Sequence, residues 1–175
     1  LAVASLLCTF INRSDRVKIA CYAQLVNVIA PIFTETGGRM FRQTTYYPIS
    51  LMAKAAAGKD AVNTYSDIPT YTSERYGESP YLHHAVCFDR QSNIVTVFAV
   101  NVADEETELC LDFYGKKAEC VSHTALIGEP DWRNDFDNPE KVRPVSLDID
   151  KVISDKHIVK IPKKSFAAID YRIAE

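Results

Sequence analysis

Apolar residues at the start of the chain recur with a helical period. Val3, Leu6, Leu7, Phe10 and Ile11 fall on one wide face of a helix over Leu1–Asn12. Asn12-Arg13-Ser14-Asp15 breaks it. Arg16–Leu25 then alternates, with Val17, Ile19, Cys21, Ala23 and Leu25 on one side and Lys18, Ala20, Tyr22 and Gln24 on the other. That alternation predicts a short, mostly buried strand. After a loop with Gly37-Gly38, Arg42–Ala57 reads as a second helix, with Ala-rich final turns and Gly58 as its stop. Pro48 inside this stretch predicts a kink or a late start.

The period changes to two from Tyr81 onward. Tyr81–Phe88, Ile94–Val102, Glu108–Tyr114, Cys120–Ile127, His157–Ile161 and Phe166–Ile173 all read as strands, separated by turn signals such as Asp89-Arg90-Gln91-Ser92-Asn93. Leu109, Leu111 and Phe113 point inward, against Cys110 and Asp112. Short strands at this spacing, with no helix among them, predict a mainly β fold, an antiparallel β-sandwich. Asp60–Ser79 joins the halves and is expected to hold one strand and much loop. A helix–strand–helix segment cannot fold alone, because its single strand has two apolar faces and no neighbour. Either the first half packs on the sandwich in an unusual way, or its partners lie outside this chain.

Composition narrows the function classes. The chain has 175 residues, 20 Lys+Arg and 23 Asp+Glu, for a net charge of −3. Mild acidity argues against a nucleic-acid partner, which needs a basic face. The longest uncharged run, Ile19–Thr34, is interrupted by Gln24 and Asn27 and falls short of a membrane span. Leu1–Leu7 is apolar but has no basic flank, so it makes a poor signal peptide. A chain that starts in mid-helix without Met looks like a piece of a longer one. Cys8, Cys21, Cys87, Cys110 and Cys120 form no CxxC and are odd in number, so buried free thiols in a reducing compartment are expected.

No metal or other cofactor is implied. His83 and His84 are adjacent on a strand and point to opposite faces, and His123 and His157 have no partner at ligand spacing. There is no Ser–His–Asp arrangement and no glycine-rich phosphate loop. Asp104-Glu105-Glu106 reads as a solvated acidic tip. Trp132, the only tryptophan, could stack on a sugar ring or tuck onto the sandwich core.

The string Phe10-Ile11-Asn12-Arg13-Ser14-Asp15-Arg16-Val17-Lys18, continued by Ala23-Gln24-Leu25-Val26-Asn27-Val28-Ile29, resembles the end of the catalytic barrel of α-L-arabinofuranosidases of glycoside hydrolase family 51. The resemblance extends to Arg42-Gln43-Thr44-Thr45-Tyr46-Tyr47-Pro48, to Thr96-Val97-Phe98-Ala99-Val100-Asn101, to Asn134-Asp135-Phe136-Asp137-Asn138-Pro139-Glu140-Lys141-Val142 and to the last strand. It covers essentially the whole chain. The Ala-Gln-Leu-Val-Asn string with the downstream Arg-Gln-Thr is the specific part.

The resemblance implies a (β/α)8 barrel followed by a jelly-roll-type sandwich. Residues 1–58 would be the closing helix–strand–helix of the barrel and residues 59–175 the sandwich domain. It also implies release of terminal α-L-arabinofuranosyl groups from arabinan, arabinoxylan and related oligosaccharides, with retention, through two glutamates. Such a pair flanks the scissile bond at roughly 5–5.5 Å. The motifs carrying both glutamates are absent. Of ten Glu, only Glu35 precedes Gly58, and none, the terminal Glu175 included, is assigned a catalytic role. The chain alone is expected to be inactive.

Gln24 is the leading site candidate. It lies near the C-terminal end of the expected strand, where barrel enzymes place their active sites. Its amide offers two donors and an acceptor for sugar hydroxyls. By resemblance, this Gln contacts the arabinofuranosyl unit where cleavage occurs; the plainer reading is a buried Gln satisfied by backbone. Asn27 is a weaker candidate that could orient the loop after the strand. Arg42 and Gln43 read as helix-start or loop-ordering residues.

Three functions stay open: the C-terminal part of such an enzyme, a non-catalytic carbohydrate-binding sandwich, and an interaction domain for a partner enzyme. The partners implied are an arabinofuranosyl oligosaccharide or polysaccharide, and a second copy of the chain; neither nucleic acid nor membrane is. The compartment is expected to be cytoplasmic, with periplasmic or secreted alternatives. Missing barrel neighbours predict self-association or disorder over residues 1–57, unless that segment folds back on the sandwich.

Overall fold

A computed structural model describes residues 1–174; Glu175 lies outside the described residues. In chain order the elements are α1 (Ala2–Asn12), β1 (Ile32–Thr34), β2 (Met40–Arg42), α2 (Tyr46–Ala56), β3 (Asp60–Val62), β4 (Thr70–Ser73), β5 (Gly77–Pro80), β6 (Leu82–Asp89), β7 (Ile94–Asn101), β8 (Thr107–Asp112), β9 (Ala118–Ile127), β10 (Pro144–Ser146), β11 (Ile153–Ser154), β12 (Lys156–Ile161) and β13 (Ser165–Ile173). The fold is mainly β.

The main sheet runs β10-β9-β13-β7-β6-β3, with β11 also on β9, and every ladder is antiparallel. A β8–β12 ribbon covers one face and the two helices cover the other. The alternation of β7 and β13 explains both layers. Val97, Ala99, Ala167, Ile169 and Tyr171 point toward Leu109, Leu111, Phe113 and Val159 of the ribbon side. Phe98, Val100 and Phe166 point the opposite way, onto Ala4, Cys8 and Met52. The Phe98 and Phe166 rings stack with centroids 6.3 Å apart.

Two polar groups within the sheet are satisfied locally, whereas His123 Nε2, buried on β9, has no hydrogen-bond partner among the described residues. Asp170 accepts hydrogen bonds from Thr96 at 2.6 Å and Ser122 at 2.8 Å, tying three adjacent strands together. Asn101, fully buried at the end of β7, donates to the carbonyls of Glu105, Ile161 and Pro162 and accepts from the Ala103 amide. That use of both amide ends is what a buried Asn requires.

The six long period-two stretches all form strands at the expected places. The first half differs from expectation. Arg16–Leu25 is not a strand: its residues are irregular and mostly exposed, with Ile19 at 82% and Leu25 at 72%. Alternation gives a strand only where another strand supplies hydrogen bonds, and among the described residues none lies beside it. The only pairing nearby is a single parallel bridge between Val26 and Ile32. Helix α2 begins at Tyr46, and Arg42 belongs to β2. Pro48 is tolerated because it is the third helical residue, where its missing N–H has no partner to lose. Asp60–Ser79 contributes to three short strands, β3, β4 and β5, where one was expected.

Both helices fold back on the sandwich. Helix α1 docks through Ala4, Leu7, Cys8 and Ile11, while Leu6 on its other side is 52% exposed. The apolar face is thus wider than the contact it makes here. Cys8, Cys87 and Cys120 are buried free thiols, whereas Cys21 and Cys110 are exposed, against the expectation for them. Cys21 sits on the unpaired segment, and Cys110 on the outer side of β8, where alternation put it. Burial pushes the Cys8 thiol up to about 12. Among the described residues no helix is long and apolar enough to cross a membrane.

Two stability outcomes follow from these layers. Phe98→Ala should cost about 3–5 kcal/mol, read as a lower urea midpoint, because it empties space between sheet and helices. His83, His84 and His123 are held below their ordinary value near 6.5 by burial, and the neighbouring His83 charge adds to this at His84. The folded protein therefore takes up these protons less readily than the unfolded chain. Stability is full above pH 6.5 and falls as pH drops below it through the folded values. A urea midpoint lower at about pH 5.5 than at about pH 7.5 is expected, and equal midpoints would contradict it.

Candidate functional site

Three non-glycine residues within a run of five adopt left-handed backbone: Gln24 (φ 61°), Asn27 (φ 62°) and Val28 (φ 57°). For a β-branched residue such as Val28 this conformation is strained, and it persists only where surrounding bonds over-determine it. Here they do. The Asn27 side chain donates to Thr34 Oγ1 at 3.1 Å and accepts from the Thr34 amide at 2.8 Å. Its backbone N–H donates to the Ile32 carbonyl at 2.8 Å, and its carbonyl accepts from Ala30 at 2.9 Å. Asn27 thereby closes a tight loop onto β1.

Gln43 holds the same loop from behind. Its side-chain amide donates to the Ala30 carbonyl at 3.0 Å and its backbone N–H to the Pro31 carbonyl at 2.8 Å. Strands β1 and β2 form a hairpin whose tip contains Gly37 and Gly38, both at positive φ. Across the tip Arg39 pairs with Glu35, its Nη2 lying 3.1 Å from Oε2. That hydrogen bond holds the Glu35 carboxyl below the usual range and Arg39 above its own.

Gln24 is exposed, and among the described residues its side chain makes no hydrogen bond. A buried Gln satisfied by backbone is therefore not what stands here. The amide is presented to solvent beside apolar residues of the same segment: Leu25, Val28 and Ile29 are all exposed. Contiguous apolar exposure of this kind marks a contact surface. Chemically the segment offers one neutral amide for hydroxyl groups and an apolar surround. Among the described residues no group of three or more His, Cys, Asp or Glu could hold a metal ion.

The long loop between β9 and β10 meets the hairpin. Phe136 packs edge-on against Phe41 at 4.9 Å, and Phe41 stacks on Phe33 at 5.2 Å. Arg39 lies over the Phe136 ring at 5.3 Å and reaches Asp137 at 3.4 Å. Asn134, buried, donates to the Arg42 and Val142 carbonyls, each at 2.9 Å, and accepts from the Val142 amide at 2.8 Å. Sequence reasoning assigned no role to Asn134 or Phe136. The available signal was the turn chemistry of Asp135-Phe136-Asp137-Asn138-Pro139. Trp132 is 41% exposed, with the Lys141 ammonium 5.2 Å from its ring centroid, so a cation already occupies one approach to a face a sugar would stack on.

Residues 1–165 match the family described as α-L-arabinofuranosidase C-terminal domain. The chain belongs to this family. Members and relatives agree in sequence and in fold. An intracellular exo-α-(1→5)-L-arabinofuranosidase of Streptomyces lividans is 43% identical over 148 residues, covering 82% of this chain and 22% of its own length. One from Bifidobacterium longum is 33% identical over 176 residues, covering 95% of this chain and 31% of its own. The solved structure of a family 51 α-L-arabinofuranosidase from Bifidobacterium longum superposes with a TM-score of 0.86 at 33% identity, over 97% of this chain and 34% of that one. The chain thus spans between about a fifth and a third of the length of these relatives.

Within this family member, Asn27→Ala should raise the exchange rate of the Thr34 amide by about 10-fold, since it removes the acceptor that protects it. Asn27→Gly, which keeps the backbone freedom but not the side chain, should do the same. Unchanged exchange in both would show that the side chain does not hold the loop.

Proposed function

We propose that this chain is the C-terminal part of a retaining α-L-arabinofuranosidase acting on terminal arabinofuranosyl groups of arabinan- or arabinoxylan-type oligosaccharides and polysaccharides. The family match over residues 1–165 carries the reading. Residues 1–58 are taken as the end of a (β/α)8 barrel and residues 59–175 as the sandwich domain. The exposed apolar residues from Ile19 to Ile29 suit a segment that a barrel would cover. The two catalytic glutamates belong to earlier barrel strands, and the chain alone does not hydrolyse glycosides.

In this reading Gln24 binds the arabinofuranosyl ring at the cleavage subsite. Its amide donates to one hydroxyl and accepts from another, from a left-handed backbone position three residues before Asn27. Asn27 orders the loop that presents it. A cytoplasmic location is proposed from the word intracellular in the names of the relatives and from the buried free thiols Cys8 and Cys87. In the chain alone, without barrel neighbours, copies associate through the exposed apolar surface of residues 1–57.

The test is hydrolysis of an aryl α-L-arabinofuranoside by the full-length protein that carries this chain and by the 175-residue chain alone. Activity is expected only in the former. Gln24→Ala in the full-length protein should lower kcat/KM about 10-fold or more, about 1.4 kcal/mol of transition-state binding, with little change in melting temperature. Unchanged kinetics would remove Gln24 from the substrate site. Robust hydrolysis by the chain alone would place catalytic carboxylates within it.

A further inference from the structure

The contacts between the β9–β10 loop and the β1–β2 hairpin form two routes that converge on one residue. The first is polar. Asn134 binds the Arg42 carbonyl; the next residue, Gln43, binds the Ala30 and Pro31 carbonyls; and Ala30 donates to the Asn27 carbonyl. The second is aromatic. Phe136 abuts Phe41, Phe41 stacks on Phe33, and Thr34, next in β1, is clamped by the Asn27 side chain. Asn27 lies three residues beyond Gln24, and both take left-handed backbone.

The loop is itself rigid where it makes these contacts. Asp135 Oδ1 accepts from the backbone N–H groups of Asp137 at 2.9 Å and Asn138 at 2.7 Å, which fixes the turn that aims Phe136. Asn134 uses both amide protons and its oxygen, so it is locked to Val142 on its own loop and to Arg42 across the contact. A buried Asn with all these bonds made has one available geometry.

We propose that Asn134 and Phe136, from the sandwich half of the chain, are positioning residues for Gln24: the β9–β10 loop sets where the proposed substrate amide stands. This rests on the functional reading above for what Gln24 does, but not for the contacts. The sandwich would then be part of the substrate site's support and not only a neighbour of it. Precise placement is what such support supplies, since a small displacement of a binding group costs rate.

The experiment is a double-mutant cycle in the full-length protein carrying this chain, with an aryl α-L-arabinofuranoside as substrate. Asn134→Ala and Phe136→Ala are each expected to lower kcat/KM about 10-fold, and Phe136→Leu, which refills the space against Phe41, to recover to within about 3-fold. If they act through Gln24, combining either with Gln24→Ala should add less than about 2-fold to the loss of Gln24→Ala alone. A merely structural role would multiply the losses. In parallel, amide exchange over residues 24–34 of the 175-residue chain should rise in Asn134→Ala while β7 and β13 stay protected. Multiplied losses, or unchanged kinetics in both single variants, would overturn the proposal. A wild-type protein with no activity on the arabinofuranoside would sink the functional reading and the substrate half of the proposal. Raised exchange over residues 24–34 in that case would leave the physical linkage standing, and unchanged exchange would remove it as well.

Discussion

Strands β7 and β13 lie side by side in the middle of the main sheet, and water is kept from both of their faces except at the Arg172 end of β13. A strand in that position cannot alternate apolar with polar; it must be apolar throughout or pair every polar group it carries. Val95, Val97, Phe98, Ala99 and Val100 meet the first condition. Thr96 and Asn101 meet the second, through Asp170 and through three carbonyls. The helices and the β8–β12 ribbon are there because both faces need covers. That is also why α1 and α2 turn back onto the sandwich: Phe98, Val100 and Phe166 form an apolar surface that Ala4, Cys8 and Met52 close.

Residues with many neighbours were legible from the sequence. The β-branched run from Ile94 and the closing run to Ile173 announced strands because burial on regular ladders leaves a regular trace. Arg16–Leu25 carries the same trace without the ladder, so its pattern promised a strand that this chain does not form. Pattern reports which side chains want cover, while hydrogen-bonding partners decide whether a strand exists. The end of α2 at Gly58, which takes up positive φ, could be read because a left-handed backbone has a residue preference. Three short strands between Asp60 and Pro80 could not, because two or three paired residues leave no period to detect.

The candidate site was half legible. Gln24 and Asn27 stand out only through the Ala-Gln-Leu-Val-Asn string; no periodicity marks them. Their setting was invisible, because left-handed backbone at Val28 contradicts the preference of its side chain and is held by side-chain and backbone bonds to Ala30, Ile32 and Thr34 that leave no periodic trace. Asn134 illustrates the same limit. An Asn in a turn-rich loop is unremarkable until its partner, Arg42, is seen across 92 residues of chain.

The order of strands in the main sheet has a temporal side. β13 is inserted between β9 and β7 and follows both of them in chain order. During synthesis β6 and β7 can form their hairpin, but β9 has no hydrogen-bonding partner at the sheet's centre until Ser165–Ile173 has left the ribosome. Until then the edges of β7 and β9 that β13 will join stay open. Closure is a single late event that joins distant segments at once, so this sheet belongs with slowly folding, non-local topologies.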